Sequence, residues 1–490
     1  MLYFLTIFNL IFSYAFYPAS WCYNKLITLF KNGDRFDCAN YRGISIMDTL
    51  AKVYDTLLMV RLSLWCSIDK CQAGAQEGRG CIEQIVSLRL LIDYAFRKKK
   101  KLYCLFVDFS KAYDRVPRVK MISHLRSMGC GKRMLLALHG IYKCTKNILK
   151  SAIISSAIGV RQGAPISCLL FVMYIDKMIK MIKEQIGEDG YLGMLHALLM
   201  MDDTVILATS RVMCERKLTI LARYCSEYGM VINEKKTKFF VINGSETDNE
   251  PFVSNGLSIQ YCPRYLYLGA WFTDVGTMES VLALHETQCT LSINKFAVFC
   301  AANTTMPFQY KMKVFNAAIT ASLLYSSESW ITPNVKCIEK LYNKLIKCLL
   351  GVRSTTPTSL CLVEIGLNDC YHEIIKKRKN FLISKLNSIN QEEPFHIVFD
   401  LCKRGNTVGY RILSRCLEGG IEGLSLEQLK YQIRNKPDSA SKFVTYRSKC
   451  NLGLEMHNIY SKTVYIPDYL RISFTRLRLM SHNLKIETGR

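Results

Sequence analysis

The sequence predicts an α+β fold followed by a helical region. From Trp21 to about Phe272, short apolar runs alternate with helical patterns and with Gly, Pro or Asp turns, which is typical of a domain that mixes sheets and helices. Between about 276 and 390 strand-like runs are rare and the pattern is helical. A chain of 490 residues can bury several cores. We therefore expect an apolar N-terminal segment at 1–14, an α+β domain at 15–275, a helical region at 276–390 and a C-terminal region of unknown role at 391–490.

The first 24 residues carry no charged side chain. One interpretation is a signal peptide or a membrane anchor, but no basic segment precedes the apolar run, and Asn9, Ser13 and Tyr14 interrupt it. The other interpretation is that the recorded start lies inside a longer reading frame. We favour the second, so we expect neither secretory targeting nor a membrane partner from residues 1–20.

Composition points to a polyanionic partner. Lys and Arg number 65 against 40 Asp and Glu, a net charge of +25, and each phosphate contact made by such a protein releases condensed counterions. The 21 cysteines include no Cys-x-x-Cys pair, which excludes a zinc knuckle or ribbon. Most lie in apolar runs, as Cys104 and Cys348 do, which indicates buried thiols in a reducing compartment.

The densest run of charge, Arg97–Lys101, is open to two interpretations. It could be a solvated loop between a helix and the strand that follows, or it could contact a phosphate backbone. A basic loop beside a catalytic domain could do both.

An acidic residue follows an apolar run in the first half of the chain. Leu102–Val107 is continuously apolar and β-prone, which predicts a strand buried on both faces, and Asp108 comes directly after it. A carboxylate at the end of a buried strand is costly unless it is paired or binds a metal. Taken alone, such a residue is more often a helix cap or a turn residue.

A second acidic site lies in residues 195–209. Two apolar runs flank Asp202 and Asp203, which predicts a β-hairpin with the acidic pair at its turn. Adjacent carboxylates repel each other, and a divalent cation relieves that repulsion. Nucleotidyl transfer needs two Mg²⁺ ions about 4 Å apart, held mainly by carboxylates. Asp108 and this pair would supply that geometry if their strands share one sheet.

Two helices are predicted from their patterns. Pro165 suits the first position of a helix over Ile166–Lys183, whose Leu169, Leu170, Met173 and Ile179 would face the core. A later helix places five apolar residues on one face, namely Ile338, Leu341, Leu345, Cys348 and Leu349.

Seven blocks over about 250 residues resemble, in order, those of non-LTR retrotransposon reverse transcriptases of the LINE or Jockey kind. They are LFKNGDRFDCANYRGIS (29–45), QAGAQEGRG (72–80), VDFSKAYDRVPR (107–118), GVRQGAPISCLLFVMYID (159–176), MMDD (200–203), GMVINEKKTKFFV (229–241) and YLYLGAWF (265–272). The resemblance implies a right-hand polymerase, in which fingers and a palm of antiparallel sheet plus helices are followed by a helical thumb. It also implies an RNA-directed DNA polymerase that uses an RNA template, a DNA primer and deoxynucleoside triphosphates, in the nucleus and cytoplasm.

The resemblance assigns the catalytic residues. Asp108, Asp202 and Asp203 would hold two Mg²⁺ ions, with Mn²⁺ as an alternative, and the carbonyl of Phe109 would complete a site. Lys236 lies where the family has a lysine proposed to protonate the leaving pyrophosphate.

The resemblance also assigns the nucleotide-binding residues. Lys31 and Arg42 resemble the fingers cations that hold the triphosphate. Tyr113 lies where the family places an aromatic gate beneath the sugar, which selects deoxynucleotides by its bulk. Gln162 and Gly163 would lie against the incoming nucleotide, and glycine permits close approach of the backbone.

The sequence departs from the family in a few places. The block at 72–80 has Ala75 and Gln76 where the family has Phe and Arg, and Gly80 replaces Ser or Thr, so contacts with the template or fingertip are expected to be weaker. Met200 replaces the commoner aromatic residue. The carboxylates are intact, so we do not expect a dead enzyme.

Alternative functions remain open. They are a catalytically impaired or domesticated remnant that only binds nucleic acid, a protein like the group II intron maturases, and a membrane protein. The last of these alternatives is supported by residues 1–20 alone. We also expect a fragment of a longer element polyprotein, whose endonuclease activity would come from an upstream module.

Overall fold

The computed structural model describes residues 2–143, 145–254, 256–388, 392–419, 423–461 and 466–481. The chain divides into two compact units, neither of which is continuous in sequence. The first comprises residues 1–84, 99–268 and 392–395, and the second comprises 85–98, 269–391 and 396–490. The fourfold division expected from the sequence stays a prediction.

The first unit combines a four-stranded and a six-stranded sheet with helices, and a further strand, β11, belongs to neither sheet. Its strands are β1 Tyr23–Phe30, β2 Tyr41–Ile46, β3 Leu102–Val107, β4 Lys146–Leu149, β5 Ala152–Ser155, β6 Ala197–Met200, β7 Asp203–Ala208, β8 Lys238–Ile242, β9 Phe252–Ser254, β10 Leu257–Tyr261 and β11 Arg264–Tyr267. The helices up to residue 228 are α1 Leu2–Tyr14, α2 Thr49–Trp65, α3 Cys81–Arg97, α4 Ala112–Arg115, α5 Arg118–Ser127, α6 Lys132–Lys143, α7 Pro165–Ile186 and α8 Arg211–Tyr228. Most of α3 belongs to the second unit. This mixture confirms the predicted α+β class.

A six-stranded sheet carries the acidic residues, with the strand order β6-β7-β3-β8-β10-β9. Its central strand β3 is buried at every position because apolar side chains fill both of its faces, as its sequence predicts. β3 pairs antiparallel with β7 and with β8, whereas β10 joins β8 in parallel. The palm sheet was expected to be antiparallel, but it contains one parallel pair, β8 and β10. The long connection between these two strands passes through β9, so the chain enters β10 in the same direction as β8.

A four-stranded sheet with the order β2-β1-β4-β5 lies in the same unit. β1 and β2 form an antiparallel hairpin, and β4 adds to β1 in parallel. The apolar N-terminal helix α1 packs within this unit, since the buried ring of Phe8 lies 6.3 Å from Trp21 and 6.0 Å from Tyr54. Within the described part of the chain, no helix has both the length and the apolar character needed to cross a bilayer.

The second unit is almost entirely helical, as the sequence predicts. Strand β12 Ala270–Thr273 is followed by α9 Met278–Ala302, α10 Phe308–Val314, α11 Ala321–Leu323, α12 Lys336–Leu350, α13 Thr358–Glu364, α14 Cys370–Leu386, α15 Pro394–Arg404, α16 Val408–Glu418, α17 Leu426–Arg434, α18 Ser441–Thr445, α19 Asn458–Ser461 and α20 Asp468–Arg478. Helix α20 packs on the preceding helices through buried ion pairs. Arg478 Nε donates to Glu364 Oε1 at 2.6 Å, and Lys311 pairs with Asp468.

The two predicted helices are confirmed. Helix α7 begins at Pro165 and extends slightly beyond the predicted end, and all four of its predicted core residues are buried. On α12, Ile338, Leu345 and Leu349 are buried, whereas Leu341 and Cys348 lie at the edges of the apolar face and are half-buried.

Candidate active site

The sheet brings the three predicted carboxylates to one of its ends. The pairing of β3 with β7 runs as far as Val107 opposite Thr204, and Asp108 and Asp203 are the next residues beyond that pair. Asp202 precedes Asp203 in the turn that joins β6 to β7. The predicted hairpin is confirmed, with the difference that Asp203 begins the second strand while Met201 and Asp202 form the turn.

The carboxylates interact electrostatically. Asp203 keeps contact with solvent, yet the pKa of its carboxyl is raised to about 6, first because protein atoms desolvate it and then because Asp202 and Asp108 place negative charge nearby. The pKa of Asp202 is also raised, chiefly by desolvation and then by Asp108, while Arg42 and Lys31 act in the opposite direction. This excess of negative charge is what a bound cation would relieve.

The donor set suits Mg²⁺ that is shared with a substrate. Among the described residues, no three acidic, histidine or cysteine side chains lie close enough to form a complete metal cluster on their own. Mg²⁺ commonly keeps several waters and is held by one or two carboxylates together with substrate phosphates, so it needs no complete protein cage. Oxygen donors with raised pKa values fit this hard cation.

The loop at 232–237 fixes the end of β3. The backbone N–H of Asp108 donates to Thr237 Oγ1 at 3.1 Å, and the N–H of Asn233 donates to the Asp108 carbonyl at 2.8 Å. Phe109, which is buried, forms an isolated antiparallel bridge with Ile232. These bonds hold the backbone that carries the first carboxylate.

Lys236 lies in this loop but is exposed. Its carbonyl accepts a hydrogen bond from the hydroxyl of Tyr265 at 3.3 Å. The Tyr265 ring stacks on Phe106 of β3 at 4.2 Å, and the pKa of its hydroxyl is raised by burial and then by the charges of Asp108 and Asp203. The sequence indicated Lys236 but not Thr237 or Tyr265, although both of these lie in the blocks that carry the resemblance.

The two predicted fingers cations lie on the β1–β2 hairpin. Arg42 is opposite Leu29 in the strand pairing, and the N–H of Lys31, directly after β1, donates to the Asn40 carbonyl at 2.8 Å. Both cations are exposed, and both lower the pKa of Asp202. The hairpin therefore brings positive charge within electrostatic range of the carboxylates.

Tyr113 lies beside the acidic turn. Its ring stacks on Phe171 of α7, with centroids 4.3 Å apart and planes inclined by 19°. The pKa of its hydroxyl is raised first by burial, then by Cys168 and by the charge of Asp202. The predicted gate residue and the predicted metal ligand are therefore neighbours.

Gln162 and Gly163 contact the protein itself. Gln162 Nε2 donates to Asp114 Oδ1 at 2.9 Å, and its carbonyl accepts from the N–H of Ser45 at 2.8 Å. Gly163 has φ of 109°, and a Cβ there would lie 2.7 Å from the Ser45 carbonyl oxygen. The close approach that calls for glycine is thus to strand β2, whereas contact with a nucleotide stays a prediction.

Comparison with known proteins identifies the family. Residues 30–272 match the family described as "Reverse transcriptase (RNA-dependent DNA polymerase)". These residues form a domain of the reverse transcriptase family. Strand β2, the acidic sheet end and the loop at 232–237 lie within the matched residues, whereas β1 precedes them except for its last residue.

Its relatives confirm the predicted kinship with non-LTR retrotransposons. The "Retrovirus-related Pol polyprotein from type-1 retrotransposable element R2" of Nasonia vitripennis is 25% identical over 289 residues, which cover 56% of this chain and 28% of that protein. The "Probable RNA-directed DNA polymerase from transposon X-element" of Drosophila melanogaster is 21% identical over 445 residues, which cover 81% of this chain and 47% of that protein. The chain spans less than half the length of either relative. Among solved structures, an apo telomerase from Candida tropicalis has a TM-score of 0.37 and 13% identity, covering 91% of this chain and 69% of that one.

Proposed function

We propose that this chain is an RNA-directed DNA polymerase that adds deoxynucleotides to a primer 3′-hydroxyl. The observation that carries the proposal is the convergence of Asp108, Asp202 and Asp203 at one end of the sheet, within electrostatic range of Lys31 and Arg42. The three carboxylates are ligands of the kind that Mg²⁺ prefers, and the two cations are suited to binding a triphosphate. RNA template, DNA primer and deoxynucleoside triphosphates are the corresponding substrates.

Each residue then has a part in the reaction. Asp108, Asp202 and Asp203, with the Phe109 carbonyl, would hold two Mg²⁺ or Mn²⁺ ions. When bound, such ions activate the attacking hydroxyl and stabilise charge on the transferring phosphoryl group. Lys236 is proposed to donate a proton to the leaving pyrophosphate, although its exposed side chain must first reach the site.

The nucleotide is bound from the fingers side and from α7. Lys31 and Arg42 neutralise and orient its triphosphate. Tyr113, held against Phe171, excludes a ribose 2′-hydroxyl by its bulk. Gln162 and Gly163 would lie against the incoming nucleotide.

Two further parts of the proposal concern the natural setting. We propose that the polymerase acts inside the cell, in the nucleus and cytoplasm, as one module of a longer element protein. Its relatives extend well beyond the matched segment, which supports its place in a longer protein. Endonuclease activity would then come from a separate module.

Primer extension tests the function. The protein is given an RNA template, a DNA primer, deoxynucleotides and Mg²⁺, and Asp202→Asn is compared with Glu215→Gln, which removes a similar charge from a half-buried position on α8 where it pairs with Arg211. We expect Asp202→Asn to lower the rate by about 1000-fold, because a lost metal ligand removes several kcal/mol of transition-state stabilisation. Glu215→Gln should extend normally. RNA binding by the unmodified chain without extension would instead support a non-catalytic binding protein.

A further inference from the structure

A segment that begins at Cys71 lies along the outer edge of the acidic hairpin. Gln72 forms a parallel bridge with Leu199 of β6. The N–H of Ala73 donates to the Leu199 carbonyl at 2.8 Å, and the N–H of Leu199 donates to the Cys71 carbonyl at 3.0 Å. Because β6 is the edge strand of the six-stranded sheet, this segment occupies hydrogen-bonding groups that β6 would otherwise present to solvent.

The side chain of Gln72 binds both polar groups of the Met201 backbone. Gln72 Oε1 accepts from the Met201 N–H at 2.9 Å, and Gln72 Nε2 donates to the Met201 carbonyl at 3.1 Å. The same Oε1 accepts from the N–H of Gly74 at 2.7 Å. Gln72 is fully buried. A primary amide is a donor and an acceptor at once, so no carboxylate or ammonium could replace it here.

Met201 has a backbone that requires such support. Its φ is 61°, in the left-handed region that residues with a side chain rarely adopt. A conformation of this kind persists only where the surrounding structure imposes it. Because Met201 directly precedes Asp202, its backbone sets the direction in which Asp202 and Asp203 leave the turn.

Gly74 contacts the turn from the same side. A Cβ at this position would lie 2.6 Å from Met201 Sδ and 2.8 Å from the Met201 backbone nitrogen, so any side chain there would displace the turn. Gln84 secures the segment farther from the turn, since its Nε2 donates to the carbonyls of Cys71 and Leu199 at 3.2 Å each. The Gln72 amide therefore fixes the turn, whereas the Gln84 amide of α3 fixes only the segment and strand β6.

We propose that Gln72 is a positioning residue that holds the Met201 turn so that Asp202 and Asp203 present their carboxylates to Mg²⁺ in a fixed geometry. The inference rests on the proposed polymerase function. Mg²⁺ demands nearly ideal octahedral geometry, so a small rotation of the turn weakens its binding. Replacing Mg²⁺ by Mn²⁺ tests whether a loss of rate depends on that geometry. The block at 72–80, despite its departures at Ala75 and Gln76, keeps the two residues that act on the turn, Gln72 and Gly74.

The test compares Gln72→Met, which removes both bonds to Met201 at similar side-chain length, with Gln84→Met, a control that also loses a buried amide. Hydrogen exchange of the Met201 amide is measured without metal or nucleotide, and we expect Gln72→Met to accelerate it about 10-fold or more. In primer extension, kcat should fall about 100-fold and the Mg²⁺ requirement should rise, while the KM for primer–template stays within about 2-fold. Mn²⁺ should restore part of the lost rate. Gln84→Met should leave the Met201 amide and kcat close to those of the unmodified protein.

The outcomes separate the two proposals. Unchanged Met201 exchange and an unchanged Mg²⁺ requirement in Gln72→Met overturn the positioning role, while extension by the unmodified protein leaves the polymerase function standing. If the unmodified protein does not extend a primer, the polymerase function fails, and the exchange measurement still decides whether Gln72 holds the turn. If Gln72→Met does not fold, Gly74→Ala is used instead, because its Cβ would lie 2.8 Å from both the Met201 nitrogen and Gln72 Oε1 and would displace the turn together with its bond to Gln72. A normal Mg²⁺ requirement in Gly74→Ala would then refute the inference.

Discussion

Tyr113 shows how a single ring can be held in a fixed orientation. Its face lies against Phe171, on a helix that is buried along most of its length, so the ring has little freedom to turn away. The neighbouring Asp202 raises the pKa of the Tyr113 hydroxyl, after the larger effect of burial, which keeps that hydroxyl protonated. A neutral ring in a fixed position suits a steric role better than a catalytic one.

Replacing Tyr113 by alanine should relax the choice of sugar. The lost ring opens space for a 2′-hydroxyl, and we expect discrimination against ribonucleotides to fall about 10- to 200-fold, the range typical of a pocket that discriminates by size. The measurement is the ratio of kcat/KM for a deoxynucleotide to kcat/KM for the matching ribonucleotide. Tyr113→Phe keeps the ring and should keep the discrimination. Equal loss in both variants would show that the hydroxyl, rather than the bulk, makes the choice.

At the scale of elements, α2 is joined to the loop before α7 by a buried ion pair. Arg161 Nη2 donates to Asp55 Oδ2 at 2.7 Å, and Nη1 donates to the Tyr17 hydroxyl at 3.3 Å. Both charged residues are buried. Arg161 therefore serves the packing of the loop that carries Gln162, although it lies in the same sequence block as the predicted nucleotide contacts.

Removal of one partner should destabilise α2 strongly. Asp55→Leu leaves the Arg161 charge buried without its carboxylate, and we expect a loss of about 3–5 kcal/mol. Asp55→Leu combined with Arg161→Met removes both charges and should recover most of that loss. Native-state hydrogen exchange of α2 amides gives the free energy of opening directly. A double variant as unstable as Asp55→Leu would mean that the pair itself, not the unpaired charge, stabilises this region.

The sequence predicted the strand and the hairpin that carry the carboxylates, but it did not predict the hydrogen bonds that hold them in place. The strand before Asp108 and the hairpin around Asp202 follow from apolar runs that are local in the sequence, so they can be predicted without the tertiary structure. The bonds of Thr237 to Asp108 and of Gln72 to Met201 each join residues separated by 129 positions. No local periodicity reports contacts of that range, so these supports became apparent only once the sheet was assembled.

At the scale of the whole molecule, charge is the dominant property. The net charge is +25, and the run Arg97–Lys101 extends from the last residue of α3 through the loop that leads to β3. Two of its members are already paired, Arg97 with Asp93 at 3.4 Å and Lys101 with Asp248 at 2.6 Å. The part of this run that is available for phosphate contacts is therefore smaller than its sequence suggests.

RNA binding should depend steeply on salt. For about 6–10 phosphate contacts, affinity is expected to fall roughly 10³- to 10⁵-fold between 50 and 200 mM salt. The reason is that the release of counterions on binding is less favourable when the salt concentration is already high. The slope of log K against log salt measures this. Lys98→Gln combined with Lys99→Gln should lower the magnitude of the slope by about 1.4–1.8 if both lysines contact phosphate. An unchanged slope would assign the run to a solvated loop.

The discontinuous second unit has a consequence for synthesis on the ribosome. Helix α3 hydrogen bonds with residues that are translated much later: the Leu90 carbonyl accepts from Cys402 Sγ across 312 positions, and Asp93 Oδ2 accepts from the N–H of Gly409 across 316. At about 5–20 residues per second, the nascent helix waits roughly 15–60 seconds for these partners. During that interval the apolar side chains of Leu88, Leu91 and Ile92, which are buried in the finished protein, are open to chaperones and to other nascent chains. Slower translation between α3 and α16 should therefore lower the yield of folded protein, even though it changes no residue.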